Sequence, residues 1–281
     1  MDLARKLGVV VGPLACLLAT LASPVQAQAV VDATELAPQE GLRYALGGAL
    51  IVAPSYAGGS GQQFKPRPLW AVRHGRFRIS GARASGLLGV AGDGGSGASA
   101  DLVDRANWRL GASLRFDSGR SPGDDPVLEG LPVIRRTLRG RVYGQWHIGG
   151  GWNTSLGYSA DLLGRGGGGI AGLALSYDWT PVPGLAASVN AGANWADGQH
   201  MRTYFGIAPE VAQATGRTAY VPSTGLMDLH AGVGLRMPLQ GRWTLFGSLG
   251  VSQLQGDAAA SPLTRRSQGV TAMMALAWRS P

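Results

Sequence analysis

The chain has 281 residues and carries 25 lysine and arginine residues against 17 aspartate and glutamate residues, which gives a net charge of +8. A basic balance of this size invites a nucleic-acid-binding function, which the rest of the sequence has to support or exclude. The chain contains 45 glycines, and this content disfavours a fold of long helices.

The first 27 residues have the pattern of a secretory signal peptide. Arg5 and Lys6 precede an apolar run over residues 7–22, and small residues lead up to a predicted cleavage site after Ala27. An uncleaved membrane anchor is the alternative. Cleavage would remove Cys16, the only cysteine, so the mature chain is expected to fold without a disulfide. Export also argues against a nucleic-acid partner.

The strongest structural signal lies at residues 225–238, where apolar and polar residues alternate for about a dozen positions. Asp228, His230 and Arg236 occupy the polar positions, and aliphatic residues occupy the positions between them. A strand with one apolar face and a length of ~9–11 residues is typical of a membrane-spanning barrel strand. The same pattern predicts twelve strands, at residues 42–52, 67–73, 76–82, 85–91, 107–117, 135–147, 152–162, 169–179, 185–195, 225–238, 242–254 and 268–279.

These strands predict an all-β fold, an antiparallel transmembrane β-barrel over residues 41–281, with residues 28–40 as a short periplasmic segment. Most connections alternate between tight turns and long loops, as expected for short periplasmic turns and longer extracellular loops. The stretch 91–106 is the exception, because it makes one expected periplasmic connection long. A soluble β-sandwich is the alternative, although its strands rarely reach this length.

The predicted location is the outer membrane of a Gram-negative bacterium. The expected partners are outer-membrane lipid and, during insertion, the barrel-assembly machinery. No cofactor is expected, and none of the histidines has the partners of a metal site.

The polar phase of the predicted strands is rich in arginine. Two interpretations remain open: an anion-favouring pore lining, or a ladder of internal ion pairs that fills a narrow barrel. The residues predicted to line the lumen are Arg109, Arg115, Arg135, Arg139, Arg141, Asp161, Asp178, Asp228, His230 and Arg236.

Several loop segments contain distinctive motifs. The first loop has a Pro-x-Tyr-x-Gly pattern around Tyr56, and the most specific blocks are Tyr-Phe-Gly and Gly-Asp-Ala followed by Ser-Pro. The residues that carry this loop signature are Trp195, Asp197, Tyr204, Phe205, Gly206, Gly256, Asp257, Ser261 and Pro262. These segments resemble the signature of the MipA/OmpV family of outer-membrane proteins, and the resemblance extends over about residues 41–278.

The resemblance implies a single barrel without a catalytic centre. One branch of the family is described as a scaffold that links a murein hydrolase, a lytic transglycosylase, to a murein synthase in peptidoglycan assembly. The other branch is described as serving osmotic adaptation and host adhesion. The family normally ends in an aromatic residue, whereas this chain places Trp278 three residues before its last residue.

The expected function is therefore that of a non-enzymatic envelope scaffold or interaction protein, with a porin-like, anion-preferring channel as the alternative. A third possibility, a lipid-modifying enzyme, would use His230 as a general base oriented by Asp228. The long connection at residues 196–224 is the best functional candidate. Its Tyr204 and Phe205 are expected either to cap the barrel mouth or to form a contact surface.

Overall fold

The structure is a computed structural model that describes residues 41–81 and 96–280. The predicted signal peptide, the predicted segment 28–40 and the strand predicted at residues 85–91 lie outside the described residues.

Twelve strands make up most of the described chain. Each strand pairs antiparallel with the next, and β1 pairs with β12, so the sheet closes on itself. The prediction of a closed, antiparallel, twelve-stranded barrel is confirmed. The strands are β1 Leu42–Pro54, β2 Gln62–His74, β3 Phe77–Ser80, β4 Gly97–Asp104, β5 Trp108–Asp117, β6 Thr137–Gly149, β7 Trp152–Asp161, β8 Gly169–Val182, β9 Leu185–Ala196, β10 Gly225–Pro238, β11 Trp243–Leu254 and β12 Gln268–Arg279.

The connections are short at one end of the barrel and longer at the other. Among the described residues, the turn end contains residues 75–76, 105–107, 150–151, 183–184 and 239–242, and the loop end contains residues 55–61, 118–136, 162–168, 197–224 and 255–267. The loops contain three helices, α1 Gly198–Phe205, α2 Pro209–Thr215 and α3 Gly256–Ala260, and two 3-10 turns, Pro122–Asp124 and Pro126–Leu128. No helix of the described residues is both long and apolar enough to span a membrane.

Strand β4 corrects the predicted topology. It lies at Gly97–Asp104, inside the stretch 91–106 that was expected to be a connection. That expectation is wrong because β4 is rich in small residues, and a bulge between Asp101 and Val103 breaks its alternation. With β4 in this position the connection to β5 shrinks to residues 105–107, so every connection at the turn end is short.

The apolar faces of the strands point away from the barrel interior. On β10, Leu229, Val233 and Leu235 are 44–51% exposed, whereas Asp228 on the other face is 8% exposed. Lipid covers such an outward apolar band in a membrane barrel. The alternation in sequence therefore separates a lipid-facing surface from a polar interior.

Strand β10 departs from strict alternation at its first residues. Its register on β9 shifts between Leu226 and Asp228. Met227, which the alternation places on the outward face, instead packs against a buried cluster that contains Phe205. The expectation for Met227 is wrong because the bulge changes the phase of the strand.

Aromatic side chains surround the turn end on the outer surface. Tyr44 contacts Trp278 with ring centroids 5.7 Å apart across the β1–β12 pairing, and Trp152 contacts Tyr177 at 4.9 Å. Amphipathic rings of this kind are enriched at the membrane–water interface. Other members of this aromatic girdle, all partly exposed, are Phe77, Trp108, Trp146, Trp179 and Trp243.

The interior face is divided into two walls. An apolar cluster lies on β1, β2, β11 and β12, and its largest member is Phe246. Five of its members are alanines, Ala45, Ala49, Ala71, Ala275 and Ala277, and the others are Ile51 and Leu69. The small alanine side chains let the strands that close the barrel pack tightly. The charged interior residues described below lie mainly on β3 to β7, on the other side.

Candidate functional site

The loops at the loop end pack against one another and form a loop cap, which comprises residues 55–61, 118–136, 162–168, 197–224 and 255–267. Two buried apolar clusters stabilise it. The first joins residues from three loops, Leu128, Leu131, Ile207, Ala212 and Leu263, with Tyr56 and Tyr220 packed against it. Such a cluster gives the cap an apolar core of its own, separate from the lipid-facing surface.

The second cluster attaches the cap to the barrel rim. Phe205 and Met201 of α1 are each 1% exposed and pack against Ala196 of β9 and Leu254 of β11. Ala196 and Leu254 belong to the inward-facing phase of their strands, since Leu254 pairs with Asp228. Helix α1 therefore lies within the mouth of the barrel.

Helix α1 begins with a side-chain cap at Asp197. One carboxylate oxygen of Asp197 accepts a hydrogen bond from the backbone N–H of His200 at 2.7 Å, and the other accepts from the N–H of Gly169 at 2.6 Å. An aspartate at this position satisfies an otherwise unpaired N–H of the first turn. Gly168, at φ +56°, must be a glycine because a Cβ would lie 2.4 Å from Asp197 Oδ1.

The side chain of Tyr204 connects α1 to the barrel wall. Its hydroxyl donates to Asp117 Oδ2 on β5 at 3.0 Å, and its backbone carbonyl accepts from Arg120 Nη1 at 2.6 Å. Burial, and then the Asp117 carboxylate, raise the pKa of Tyr204, so the phenol stays protonated and can donate.

The Gly-Asp-Ala and Ser-Pro block fixes the other side of the cap. Asp257 accepts the backbone N–H of Ser223 at 2.7 Å through Oδ2, and its carbonyl accepts from the Tyr220 hydroxyl at 2.9 Å. Ser261 is buried, donates to the Phe205 carbonyl at 2.6 Å and accepts from Leu263 N–H at 3.1 Å. These bonds join residues 255–267 to residues 197–224 at the last residue of α1 and again after α2.

Asp161, expected to line the lumen, organises the glycine-rich loop 162–168. Its carboxylate accepts the backbone N–H groups of Leu163, Arg165 and Gly167 and the hydroxyl of Thr137. The sequence predicts lumen exposure from phase alone. The structure places Asp161 at the last residue of β7, where the loop folds back over its side chain.

Arg139, also predicted to line the lumen, contacts the glycine-rich loop of the cap. Its guanidinium donates to the carbonyls of Gly167 at 2.8 Å and Gly168 at 3.0 Å, and lies 3.8 Å from Asp117. The same carbonyl of Gly167 lies 2.8 Å from His200 Nδ1. One glycine carbonyl therefore links β6 with helix α1.

A buried ion-pair network lies deeper in the barrel. Arg78 donates from Nη2 to Asp101 Oδ1 at 2.7 Å and to the Tyr143 hydroxyl at 3.1 Å, and Arg109 Nε lies 3.3 Å from Asp104 Oδ1 and 3.9 Å from Asp101 Oδ2. The polar phase of the predicted strands includes Arg78 and Tyr143 but not Asp101. Asp101 lies in the stretch 91–106 that was expected to be a connection, so the sequence does not predict its place in the barrel.

Further toward the loop end, arginines face one another on adjacent strands. The register places Arg115 opposite Arg139 and Ser113 opposite Arg141. The Arg141 guanidinium lies 5.6 Å from the centroid of the Tyr143 ring, which is a cation–π distance. Gly157 makes room for it, since a Cβ there would lie 2.8 Å from Arg141 Nε.

The family is decided by the sequence match. The family described as MltA-interacting protein MipA matches residues 46–280. The chain belongs to the MipA family. Together with the lipid-facing apolar surface, this membership makes the molecule an outer-membrane barrel.

Similar solved structures include outer-membrane barrels. OmpT of Vibrio cholerae is 7% identical over 85% of this chain and 97% of that chain, with a TM-score of 0.40. The NanC porin is 8% identical over 85% and 99%, at a TM-score of 0.40. The CymD monoaromatic hydrocarbon channel is 11% identical over 86% and 88%, at 0.41. These values are low, so no functional conclusion follows from them. No curated protein sequence matches the chain significantly.

The loop signature of this MipA-family barrel is mostly assembled in the cap. Asp197, Tyr204, Phe205 and Ser261 make the contacts described above. Trp195 differs, because it lies on the outward face of β9 and is 43% exposed. The remaining signature residues, Gly206, Gly256, Asp257 and Pro262, lie in or at the ends of the cap helices and turns.

The other predicted lumen residues are spread along the barrel. Arg135 is exposed in the loop before β6, because β6 begins only at Thr137. Asp178 lies toward the turn end and accepts a hydrogen bond from Asn153 Nδ2 at 2.8 Å. Arg236 is partly exposed and lies opposite Phe246 of β11.

His230 and Asp228 form the predicted pair but do not gain a nucleophile. His230 Nδ1 lies 3.0 Å from Asp228 Oδ1, and Asp228 also accepts from Asn194 Nδ2. Ser252 is the direct cross-strand neighbour of His230. However, His230 Nε2 lies over Gly192 of β9, on the side away from Ser252 of β11, at 2.5 Å from the position of a Cβ on Gly192.

No group of three or more histidine, cysteine or acidic residues within 41–81 and 96–280 is arranged to hold a metal ion.

Proposed function

We propose that this protein is a non-enzymatic outer-membrane scaffold whose loop end is closed by the loop cap. The observation that carries this proposal is the position of α1 in the barrel mouth, where Phe205 and Met201 are buried and Tyr204 is bonded to the wall. A diffusion pore needs an aqueous path at this point. The buried apolar side chains and the hydrogen bonds of the cap support a closed mouth.

The turn end is the surface that we assign to a protein partner. Arg76, Arg105 and Arg242 are exposed in three of its five turns, and none of these turns contains an aspartate or glutamate. A cationic rim of this kind favours an acidic partner surface and increases the association rate. The name of the family, MltA-interacting protein, supports a murein hydrolase as partner, and the resemblance adds a murein synthase.

An anion-preferring channel is the second candidate. It is favoured by a pair of interior-facing arginines on neighbouring strands, because the register places Arg43 opposite Arg73. Like charges opposite one another destabilise a sheet, so such a pair is compatible with a role for attracting anions.

Conductance separates the two candidates. Purified protein inserted into a planar bilayer in KCl is expected to give no discrete current steps if the cap closes the barrel. Regular steps with a reversal potential that shows chloride preference would contradict the closed scaffold and establish the channel.

Partner capture tests the assignment of the turn end. Protein crosslinked in native envelopes is expected to retain murein hydrolase or synthase activity, and the double variant Arg76→Glu, Arg105→Glu is expected to reduce that captured activity to about a tenth. Arg136→Glu reverses an exposed charge at the loop end and is the matched control. Equal loss in the control, or unchanged capture in the double variant, would contradict this surface.

A further inference from the structure

The surface of the loop cap contains a groove. The groove has a volume of about 510 Å³ and lies where residues 118–136, 197–224 and 255–267 meet. Sites that bind small molecules commonly have ~300–1,000 Å³. The residues that define its chemistry are Pro126, Val127, Ile207, Pro262, Arg217 and Arg265.

The groove has a mixed lining, in which Pro126, Val127 and Pro262 supply the accessible apolar surface and two arginines supply the charge. Ile207 is 2% exposed and belongs to the buried cluster that also contains Leu128 and Leu263, so the floor is fixed by the cap's own core. Its two charged lining residues, Arg217 and Arg265, are both cations, and no acidic residue lines it. The nearby Asp125 carboxylate accepts bonds from Ser55 Oγ and Val127 N–H.

The guanidinium of Arg217 is held in place before any ligand arrives. Its Nη1 donates to the Val127 carbonyl at 2.7 Å and its Nη2 donates to the Glu129 carbonyl at 2.9 Å. A guanidinium has five N–H donors in a planar fork, so donors remain for a further acceptor. A preorganised donor loses little side-chain entropy on binding.

Arg265 approaches the groove from the opposite loop. Its backbone N–H donates to the Gly58 carbonyl at 2.8 Å, which fixes the main chain, while its side chain is exposed. Arg266, the next residue, has the same backbone bond at 3.1 Å and is also exposed, but it does not line the groove. Of these two exposed arginines, only Arg265 therefore lies where it can contact a ligand in the groove.

We propose that this groove binds an amphipathic anion, a small molecule with a carboxylate or phosphate group on an apolar body. The anionic group lies between Arg217 and Arg265, where charge-assisted hydrogen bonds are strongest. The apolar body covers Pro126, Val127 and Pro262. This site is independent of the scaffold function, since it lies on the cap and not on the turn end.

The test uses the full-length protein in detergent and 4-fluorophenyl phosphate as the probe, observed by fluorine NMR line broadening. The ring-only probe, 4-fluorobenzyl alcohol, is observed in the same way, and the anion-only probe, inorganic phosphate, is tested as a competitor that displaces the aryl phosphate. The proposal expects saturable binding of the aryl phosphate, with both partial probes at least about tenfold weaker. Equal binding of either partial probe would contradict the amphipathic site.

Two matched variants locate the site. Arg265→Gln is expected to weaken aryl phosphate binding by about tenfold or more, because one of the two charged donors is lost. Arg266→Gln removes the same charge from the adjacent residue and is expected to leave binding unchanged. Equal weakening in both variants would mean attraction to general surface charge, and no weakening in either would mean that the groove is not the site.

Discussion

A single stacked pair shows how much of the cap depends on individual residues. His200 and Tyr204 lie one turn apart on α1 with ring centroids 4.4 Å apart. His200 Nδ1 lies 2.8 Å from the Gly167 carbonyl, and the Tyr204 hydroxyl donates to Asp117. Two side chains therefore connect one helix to the loop 162–168 and to the wall of the barrel.

His200 makes the cap sensitive to pH. Burial is the largest cause and lowers the pKa of His200 below its ordinary value; Arg139 lowers it further, whereas the Gly167 carbonyl, Asp117 and Asp197 act in the opposite direction. The free histidine has a pKa of about 6.5. His200 therefore binds a proton more readily in the opened cap than in the closed cap. The free energy by which neutral His200 stabilises the closed cap is fully present above about pH 6.5 and declines as the pH falls below about 6.5.

Hydrogen–deuterium exchange of residues 197–224 measures this effect, with exchange times corrected for the intrinsic rate at each pH. The corrected exchange of residues 197–224 is expected to become faster as the pH is lowered from 7.5 to 5. His200→Asn keeps an N–H that can donate to Gly167 but does not titrate, so its exchange is expected to change little. Parallel pH profiles for wild type and His200→Asn would assign the effect to another group.

At the level of elements, the regularity of the alternation decided how well a strand was predicted: β3 lies within its predicted range of 76–82, whereas β2, less regular, begins at Gln62, five residues before its predicted start. Strand β10 has fourteen residues, and its alternation gave both its bounds and its outward face. Strand β4 has eight residues and a bulge, so its side chains contain too little apolar periodicity to distinguish it from a loop. Because Asp101 lies on β4, the sequence also did not predict this central residue of the ion-pair network.

The alternation pattern did not predict the cap helices, although the residues at the ends of α1 and α2 are typical of helix starts and stops. Asp197 caps α1, Pro209 begins α2, and Gly216 ends α2 at φ +65°. These are common start and stop residues. The helices themselves have only five to eight residues, so propensity alone does not stabilise them. Burial does: α1 and α3 pack against the barrel rim, and α2 packs in the cap's own apolar cluster.

Removing the apolar anchor of α1 should open the cap without unfolding the barrel. Phe205→Ala deletes a ring that is 1% exposed, and a buried Phe→Ala change costs about 3–5 kcal/mol. That cost falls on the contacts of a single short helix. Limited proteolysis in detergent is expected to cleave within residues 197–224, whereas the rest of the chain stays protected.

Phe116 provides the matched control for this experiment. It is 74% exposed on the outward face of β5, so Phe116→Ala is expected to leave the protease pattern of the cap as in wild type. Cleavage spread along the strands of Phe205→Ala would mean that the cap and barrel unfold as one unit.

At the scale of the whole molecule, closure depends on the pairing of β1 with β12. Leu46 pairs with Trp278, and on the outer surface Trp278 contacts Tyr44 and the Arg242 guanidinium, 5.5 Å from its ring centroid. On the inner surface, Ala45, Ala275 and Ala277 are almost completely buried. The first and last strands are therefore held by aromatic contacts outside and by small residues inside.

The small residues at this pairing give a direct test of closure. A Cβ on Gly47 would lie 2.1 Å from the Leu276 carbonyl oxygen and 2.7 Å from Ala277 Cα, and neither backbone atom can move aside without separating the strands. Gly47→Ala is therefore expected to weaken the β1–β12 pairing, and the folded protein should lose its heat-dependent shift in gel mobility at a lower temperature than wild type. The adjacent Gly48 has no atom within 4 Å of a new Cβ, so Gly48→Ala tests the same loss of glycine flexibility without the clash. Wild-type behaviour of Gly47→Ala, or equal loss in Gly48→Ala, would contradict a closure that depends on close approach of the two strands.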